Sequence, residues 1–329
     1  MRRRAFITLI GGAAAWPLAA RAQQAGRVRR IGALMSASEN DLGFRVNWAA
    51  FREALAMLGW SEGNNIRIET RWGAAEAEAM QHAAKELVAL QPELIFSQNT
   101  PTTGALLQQT RTIPIVFAQV VDPVGSGYVA SLPRPGGNVT GFLNLEASVA
   151  GKWLELLKEI APRVARAAFV FHPPTAPFAN YFLNPFKAAA ASLHLEPIAA
   201  PVADLSALEA IVAAQAGTPN GALVTMPDTF LVAHRAEITS LAARHRLPAI
   251  YPFRAFAEAG GLLSYGNQFP ENYRRAATYV DRILKGANPG QLPVQAPVQF
   301  ELVINLKTAR ALDLDVPVQL QQRADDIIE

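Results

Sequence analysis

The chain has 329 residues, 50% of them hydrophobic, with 30 Lys and Arg against 27 Asp and Glu, and no cysteine. The missing cysteines exclude disulfides, thiolate catalysis and Cys-based metal sites, and the length suits two domains of about 150 residues each. The formal net charge of +3 suggests a basic protein, but the excess is concentrated at one end.

Residues 1–22, MRRRAFITLIGGAAAWPLAARA, join Arg2, Arg3 and Arg4 to a short apolar run and the small-residue ending Ala20-Arg21-Ala22. That is the pattern of a cleaved signal peptide. Gly11, Gly12 and Pro17 interrupt the run, which falls short of the roughly 20 apolar residues a bilayer requires. Arg3-Arg4-Ala5-Phe6-Ile7 resembles a twin-arginine export signal, with Thr8 in place of the usual lysine and Arg2 in place of Ser or Thr. Cleavage would remove four arginines and no acid, leaving 26 basic and 27 acidic residues, a net charge of −1. The electrostatic footprint for phosphates disappears, so no nucleic-acid partner is expected. Without a cysteine there is no lipid anchor either, and the expectation is a periplasmic, unanchored protein.

The mature chain alternates short β-rich runs with amphipathic stretches, the rhythm of parallel sheets covered by helices. Strands are predicted at 28–35, 65–71, 93–97, 113–118 and 139–143. The helices between them span 44–58, 74–90, 101–110 and 123–132. After the turn Pro135-Gly136-Gly137-Asn138 a second series follows, with strands at 166–171, 196–202, 221–225 and 249–251. Its helices are predicted at 152–160, 178–193, 205–216 and 229–244. A strand at 262–265, a helix at 270–285 and an extended segment at 291–306 are too few to form a third domain. They must complete the two lobes, so the chain crosses between them more than once.

Phe51-Arg52-Glu53-Ala54-Leu55 with Gly59-Trp60; Ile113-Pro114-Ile115-Val116-Phe117-Ala118 running into Asp122-Pro123-Val124-Gly125; Pro135 to Gly141; Glu258 to Gly266; and Phe300 to Ala309 form a set of blocks. Together they resemble the tryptophan-binding-like family of ABC-transporter substrate-binding proteins. The resemblance covers essentially the mature chain and departs at Val121, where that family carries Gly. It implies an α/β fold of two Rossmann-like lobes with parallel sheets joined by three crossing segments, the type I periplasmic-binding-protein fold. The implied crossings fall near 142–145, 261–265 and 291–297, which puts 28–143 plus 262–293 in lobe 1 and 144–261 plus 294–329 in lobe 2. The implied role is the periplasmic solute-binding component of an ABC importer, taking an amino acid or aromatic carboxylate from the cleft between the lobes to a permease in the inner membrane. A monomer is expected. A sensor for a membrane receptor, or an exported enzyme on the same scaffold, is the alternative.

Ligands of open α/β sheets lie beyond the carboxyl ends of the strands, where helix N-termini point. Ser36 ends the first strand. Asn99 and Thr100 precede Pro101, with Thr100 as expected N-cap and the amides of Thr102 and Thr103 available to a carboxylate. Gln119 and Asp122 stand in the next turn, Asp122 as a contact or a cap. Across the cleft, Thr175 follows His172-Pro173-Pro174, and Asp228 is placed to meet an ammonium or cap the following helix. Tyr251 and Tyr265 are candidate aromatic walls, or inter-lobe packing. No cofactor or metal is expected: His234 and Glu237 lie one turn apart without a third ligand. Gly125-Ser126-Gly127 lacks the last glycine of a dinucleotide fingerprint, and no GxSxG elbow occurs.

Overall fold

A computed structural model describes residues 28–36, 38–73 and 76–329. The signal-peptide assignment to 1–22 and the first two residues of the helix predicted at 74–90 lie outside the described residues.

The first sheet is parallel throughout. It comprises β1 (Arg29–Met35), β2 (Ile66–Trp72), β3 (Leu94–Asn99), β4 (Ile115–Val120) and β5 (Val139–Leu143), in the order β2-β1-β3-β4-β5. Side chains alternate between its faces with the period of two that extended backbone imposes. Ile31 and Phe96 join the core under α1 (Leu42–Met57), whereas Leu34 and Ile95 join the core under α2 (Ala77–Ala89) and α3 (Thr100–Gln109). Both faces are covered, so β4 is buried along its whole length. Gly141, in the predicted turn-to-strand motif, is required by crowding: a Cβ there would stand 2.0 Å from the Phe117 carbonyl oxygen.

The second sheet has seven strands: β6 (Arg166–Phe171), β7 (Glu196–Pro201), β8 (Gly221–Thr225), β9 (Ala249–Tyr251), β10 (Leu263–Asn267), β11 (Phe300–Asn305) and β12 (Asp326–Ile328). Their order is β12-β11-β10-β9-β8-β6-β7. It is flanked by α4 (Val149–Ile160), α5 (Ala179–Ser192), α6 (Leu205–Ala216), α7 (Thr229–Ala233), α8 (Arg235–Arg244) and α9 (Arg254–Glu258). The long helix α10 (Phe269–Leu284) packs back on α1, burying Tyr273, Ala276, Ala277 and Val280 on one face. The short helices α11 (Leu306–Ala311) and α12 (Val318–Arg323) complete the second lobe. Among the described residues no helix is long and apolar enough to cross a membrane.

Several sequence expectations need correction. Leu263–Asn267, assigned with 262–293 to the first lobe, is a strand of the second sheet. It pairs in parallel with β9 and antiparallel with β11, so that sheet is not parallel throughout. The second crossing therefore lies at Gln268, not near 261–265. Its apolar pattern marked a strand, but strand pairing is non-local and invisible to periodicity. No helix forms at 123–132: Asp122 sits at φ 44° and Gly127 at φ 69°, and the segment is a series of turns. The helix predicted at 229–244 is broken at His234 into α7 and α8. The elements α9, α11, α12 and β12 are too short for periodicity to reveal.

The chain passes between lobes after β5, at Gln268, and between Gln295 and β11. Gln295 is bonded to β5, its amide donating to Gly141 and its carbonyl accepting from Leu143. The Gln268 amide donates to the Gln299 carbonyl at 3.2 Å, which ties the last two crossings together. Asn272 donates to the carbonyls of Ala118 and Leu143, and the Arg275 guanidinium lies 4.7 Å from the Phe142 ring while donating to the Ala296 carbonyl. One face of α10 thus gathers the first and third crossings.

Candidate ligand-binding cleft

Between the lobes, at the carboxyl ends of β1, β3, β4 and β8, lies a cavity of ≈ 260 Å³. A second cavity of similar size adjoins it toward the outside. Asp41, Gln98, Gln119, Val232, Phe253 and Phe269 line both, so the two form one cleft with an inner and an outer part.

The inner cavity is built from strand ends. Asn99 caps α3, its side-chain oxygen accepting from the Thr102 amide, while the Asn99 amide donates in return to the Thr102 hydroxyl oxygen. The cap thus falls one residue before the expected Thr100. Capping consumes the Thr102 amide, so one of the two N–H groups proposed for a carboxylate is not free there. Thr100 lines the cavity, but its hydroxyl accepts from the Val121 amide at 2.9 Å. Asn99 Nδ2 donates to Ser36 Oγ at 2.7 Å and, across the cleft, to Thr229 Oγ1 at 3.2 Å.

Asp228 is the second-lobe counterpart, 1% exposed and in the same wall. It is both a helix cap and a loop brace. Its carboxylate accepts from the amides of Phe230 and Leu231 at the start of α7, from the His172 amide at 2.7 Å, and from Thr175 Oγ1 at 2.7 Å. Because the Thr175 proton is committed to Asp228, His172 Nδ1 must donate to Thr175 Oγ1, 2.8 Å away. Burial pushes the Asp228 carboxyl above its ordinary range, opposed by the hydrogen bonds from Thr175, His172, Leu231 and Phe230. One lone-pair direction of the oxygen facing His172 remains for a further donor.

Six of the nine residues anticipated from sequence, Ser36, Asn99, Thr100, Gln119, Thr175 and Asp228, line the inner cavity. Three do not. Asp122 turns its carboxylate back on its own loop and accepts from the Gly125 amide. Tyr251 is buried against Phe256, with ring centroids 4.9 Å apart, and Tyr265 stacks on Phe300; both rings pack within the second lobe. The cleft also contains Asp41, Asn144, Phe178 and Phe269, which sequence reasoning missed. Asp41 carried a legible signal as the N-cap of α1. Asn144 and Phe269 adjoin crossings and become visible only once these are located.

The charges are unevenly distributed. The inner wall holds two carboxylates, Asp41 and Asp228, and no Lys, Arg or His. The outer wall contains Arg235 and Arg254. Arg254 is occupied by Glu301 and Asp326, at 3.0 and 2.6 Å, whereas Arg235 reaches across the cleft to Asp41 at 3.3 Å. His234 and Glu237 lie 3.7 Å apart, and no group of three or more metal-ligating side chains occurs among the described residues.

Two α/β lobes joined by three strands of chain and closing on a small inner cavity define a type I periplasmic-binding protein. The chain belongs to the ABC transporter substrate-binding protein family, whose model matches residues 43–328. It is 25% identical over 267 residues to a tyrosine-binding protein of Clostridioides difficile strain R20291, covering 80% of this chain and 75% of that one. A conserved domain protein of Vibrio cholerae O1 biovar El Tor has the same fold, with a TM-score of 0.85, 26% identity, and coverage of 92% of this chain and all of that one. The ABC domain of Streptococcus pneumoniae in complex with L-Trp superposes with a TM-score of 0.85 at 23% identity and the same coverage. Substrate-binding proteins of ABC transporters work outside the cytoplasmic membrane, bind small solutes and interact with permeases.

The Asp41–Arg235 pair spans the two lobes, so separating them would break it. Asp41→Asn retains a good cap on α1 and removes the charge; Arg235→Met retains most of the stem. Each should weaken solute binding about two- to five-fold, the range of a partly exposed ion pair, mainly through faster release. Stopped-flow dissociation rates check this. Wild-type rates in both variants would show that the pair adds nothing to closure.

Proposed function

We propose that this protein is the periplasmic solute-binding component of an ABC importer and that its solute is an aromatic amino acid. The observation that carries the reading is the composition of the inner wall: the buried carboxylate of Asp228 with no Lys, Arg or His lining it, the other carboxylate, Asp41, being paired with Arg235 of the outer wall, and the rings of Phe178, Phe253 and Phe269. A cavity of this charge favours an ammonium and disfavours a lone carboxylate, which removes simple aromatic acids from the candidate solutes. Aromatic walls suit a planar side chain, each ring pair contributing about 0.5–1.5 kcal/mol beyond its buried area. Ser36, Asn99, Thr175 and Asp228 supply the polar contacts at the inner end, with Asp228 meeting the ammonium, and Gln119 lies where the inner and outer parts join. The ligands of the relatives, tyrosine and L-Trp, are of this class.

The remaining elements follow from the N-terminal segment. Residues 1–22 act as a twin-arginine signal peptide, the mature protein is a soluble periplasmic monomer, and its macromolecular partner is an inner-membrane permease. It performs no catalysis. Thermal-shift measurements test the solute class, because a ligand of the folded state raises stability by mass action. L-tyrosine and L-tryptophan should raise the midpoint; their desamino acids, sugars and polyamines should not. Equal stabilisation by the desamino acids would overturn the amine requirement.

A further inference from the structure

Gln119 and Asn267 are two buried side chains left incompletely satisfied by the fold. Gln119 Nε2 has no hydrogen-bond partner, and neither does Nδ2 or Oδ1 of Asn267, although the residues are only 5% and 4% exposed. They come from opposite lobes: Gln119 from β4 and Asn267 from the last position of β10, beside the second crossing. Both line the outer cavity. An amide shut off from water with donor and acceptor unmet is a standing free-energy cost, and a solute can relieve it by offering both an acceptor and a donor.

We infer that Gln119 and Asn267 read a hydroxyl at the far end of the solute, making a phenolic amino acid the preferred ligand. This rests on the amino-acid reading of the inner cavity. With the ammonium held at the Asp228 end, the side chain must pass Phe253 and Phe269, which border both cavities, and its distal atoms enter the outer part. There a phenol donates its proton to Asn267 Oδ1 and accepts from Gln119 Nε2. An indole N–H can only donate, and an unsubstituted phenyl ring leaves every one of these atoms unpaired. Sites built to hydrogen-bond a substrate hydroxyl reject the analogue that lacks it. Because the two amides belong to different lobes, the same hydroxyl bridges the closed form.

The test is calorimetric binding of L-tyrosine and L-phenylalanine to the wild-type protein and to Asn267→Leu and Gln119→Met, both close in shape to the native side chains. Wild type should bind L-tyrosine at least about ten-fold more tightly than L-phenylalanine. Asn267→Leu should bring the two within about two-fold by weakening L-tyrosine and leaving L-phenylalanine unchanged or tighter. Gln119→Met should narrow the ratio in the same direction and decides the matter if Asn267→Leu does not fold. Equal wild-type affinities, or a ratio that survives both substitutions, overturn hydroxyl reading while leaving the amino-acid reading intact. Failure of wild type to bind either amino acid overturns both.

Discussion

Asp228→Asn should lower affinity for an aromatic amino acid at least about thirty-fold, the effect of removing one partner from a buried charge pair. The substitution is chosen because it separates charge from structure. Asn caps helices as well as Asp does, and its oxygen can still accept from Phe230, Leu231 and Thr175, as Asp228 Oδ1 does. Only the His172 amide, which donates to the other carboxylate oxygen, loses its acceptor, at a stability cost of about 1–3 kcal/mol. Calorimetry for affinity and denaturant unfolding without solute resolve the two effects. A folded Asp228→Asn protein with wild-type affinity would make Asp228 a brace and nothing more. The pH dependence has a defined sign. Only the ionised carboxylate holds an ammonium, and burial raises the Asp228 pKa, so affinity should fall on acidification sooner than for an exposed aspartate.

Replacing Trp153 by Ala should destabilise the second lobe by about 3–5 kcal/mol, the usual cost of emptying a large buried aromatic site. Trp153 is fully buried, with its ring centroid 6.0 Å from that of Phe169 and 5.8 Å from that of Phe182. Its indole N–H donates to the Tyr265 carbonyl at 2.7 Å. That bond fixes α4 to β10, the strand that ends in Asn267 at the cleft. Loss of the indole therefore empties the core and unpins a strand leading into the outer cavity. The remaining tryptophans among the described residues, Trp48, Trp60 and Trp72, belong to the first lobe. In Trp153→Ala their fluorescence should report a transition at higher denaturant than circular dichroism, which follows both lobes. Coincident transitions at the wild-type midpoint would show that the indole contributes little to the core.

Most residues of the inner cavity were legible because each lies within a few positions of the end of an apolar run. Ser36, Asn99, Gln119, Thr175 and Asp228 all share that local signature. The failures have physical causes. Tyr251 and Tyr265 share the signature's neighbourhood, but their rings turn into the second lobe, and direction at a strand end depends on packing. Asp122 was placed in the correct turn, but a backbone at φ 44° directs its carboxylate to its own loop.

The sequence by itself determined the α/β rhythm, the positions of nearly all long elements and the family blocks, because periodicity, turn chemistry and apolar runs are local. It also carried the export-like start and the loss of the basic charge excess on cleavage. Tertiary structure alone decided that β10 pairs in the second sheet, and hence that the chain crosses at Gln268. It also decided that Asp41 meets Arg235 across the cleft and that Gln119 and Asn267 line one cavity from opposite lobes. These depend on which elements lie side by side, set by burial of whole faces against one another, and residues on different elements carry no local trace of being neighbours.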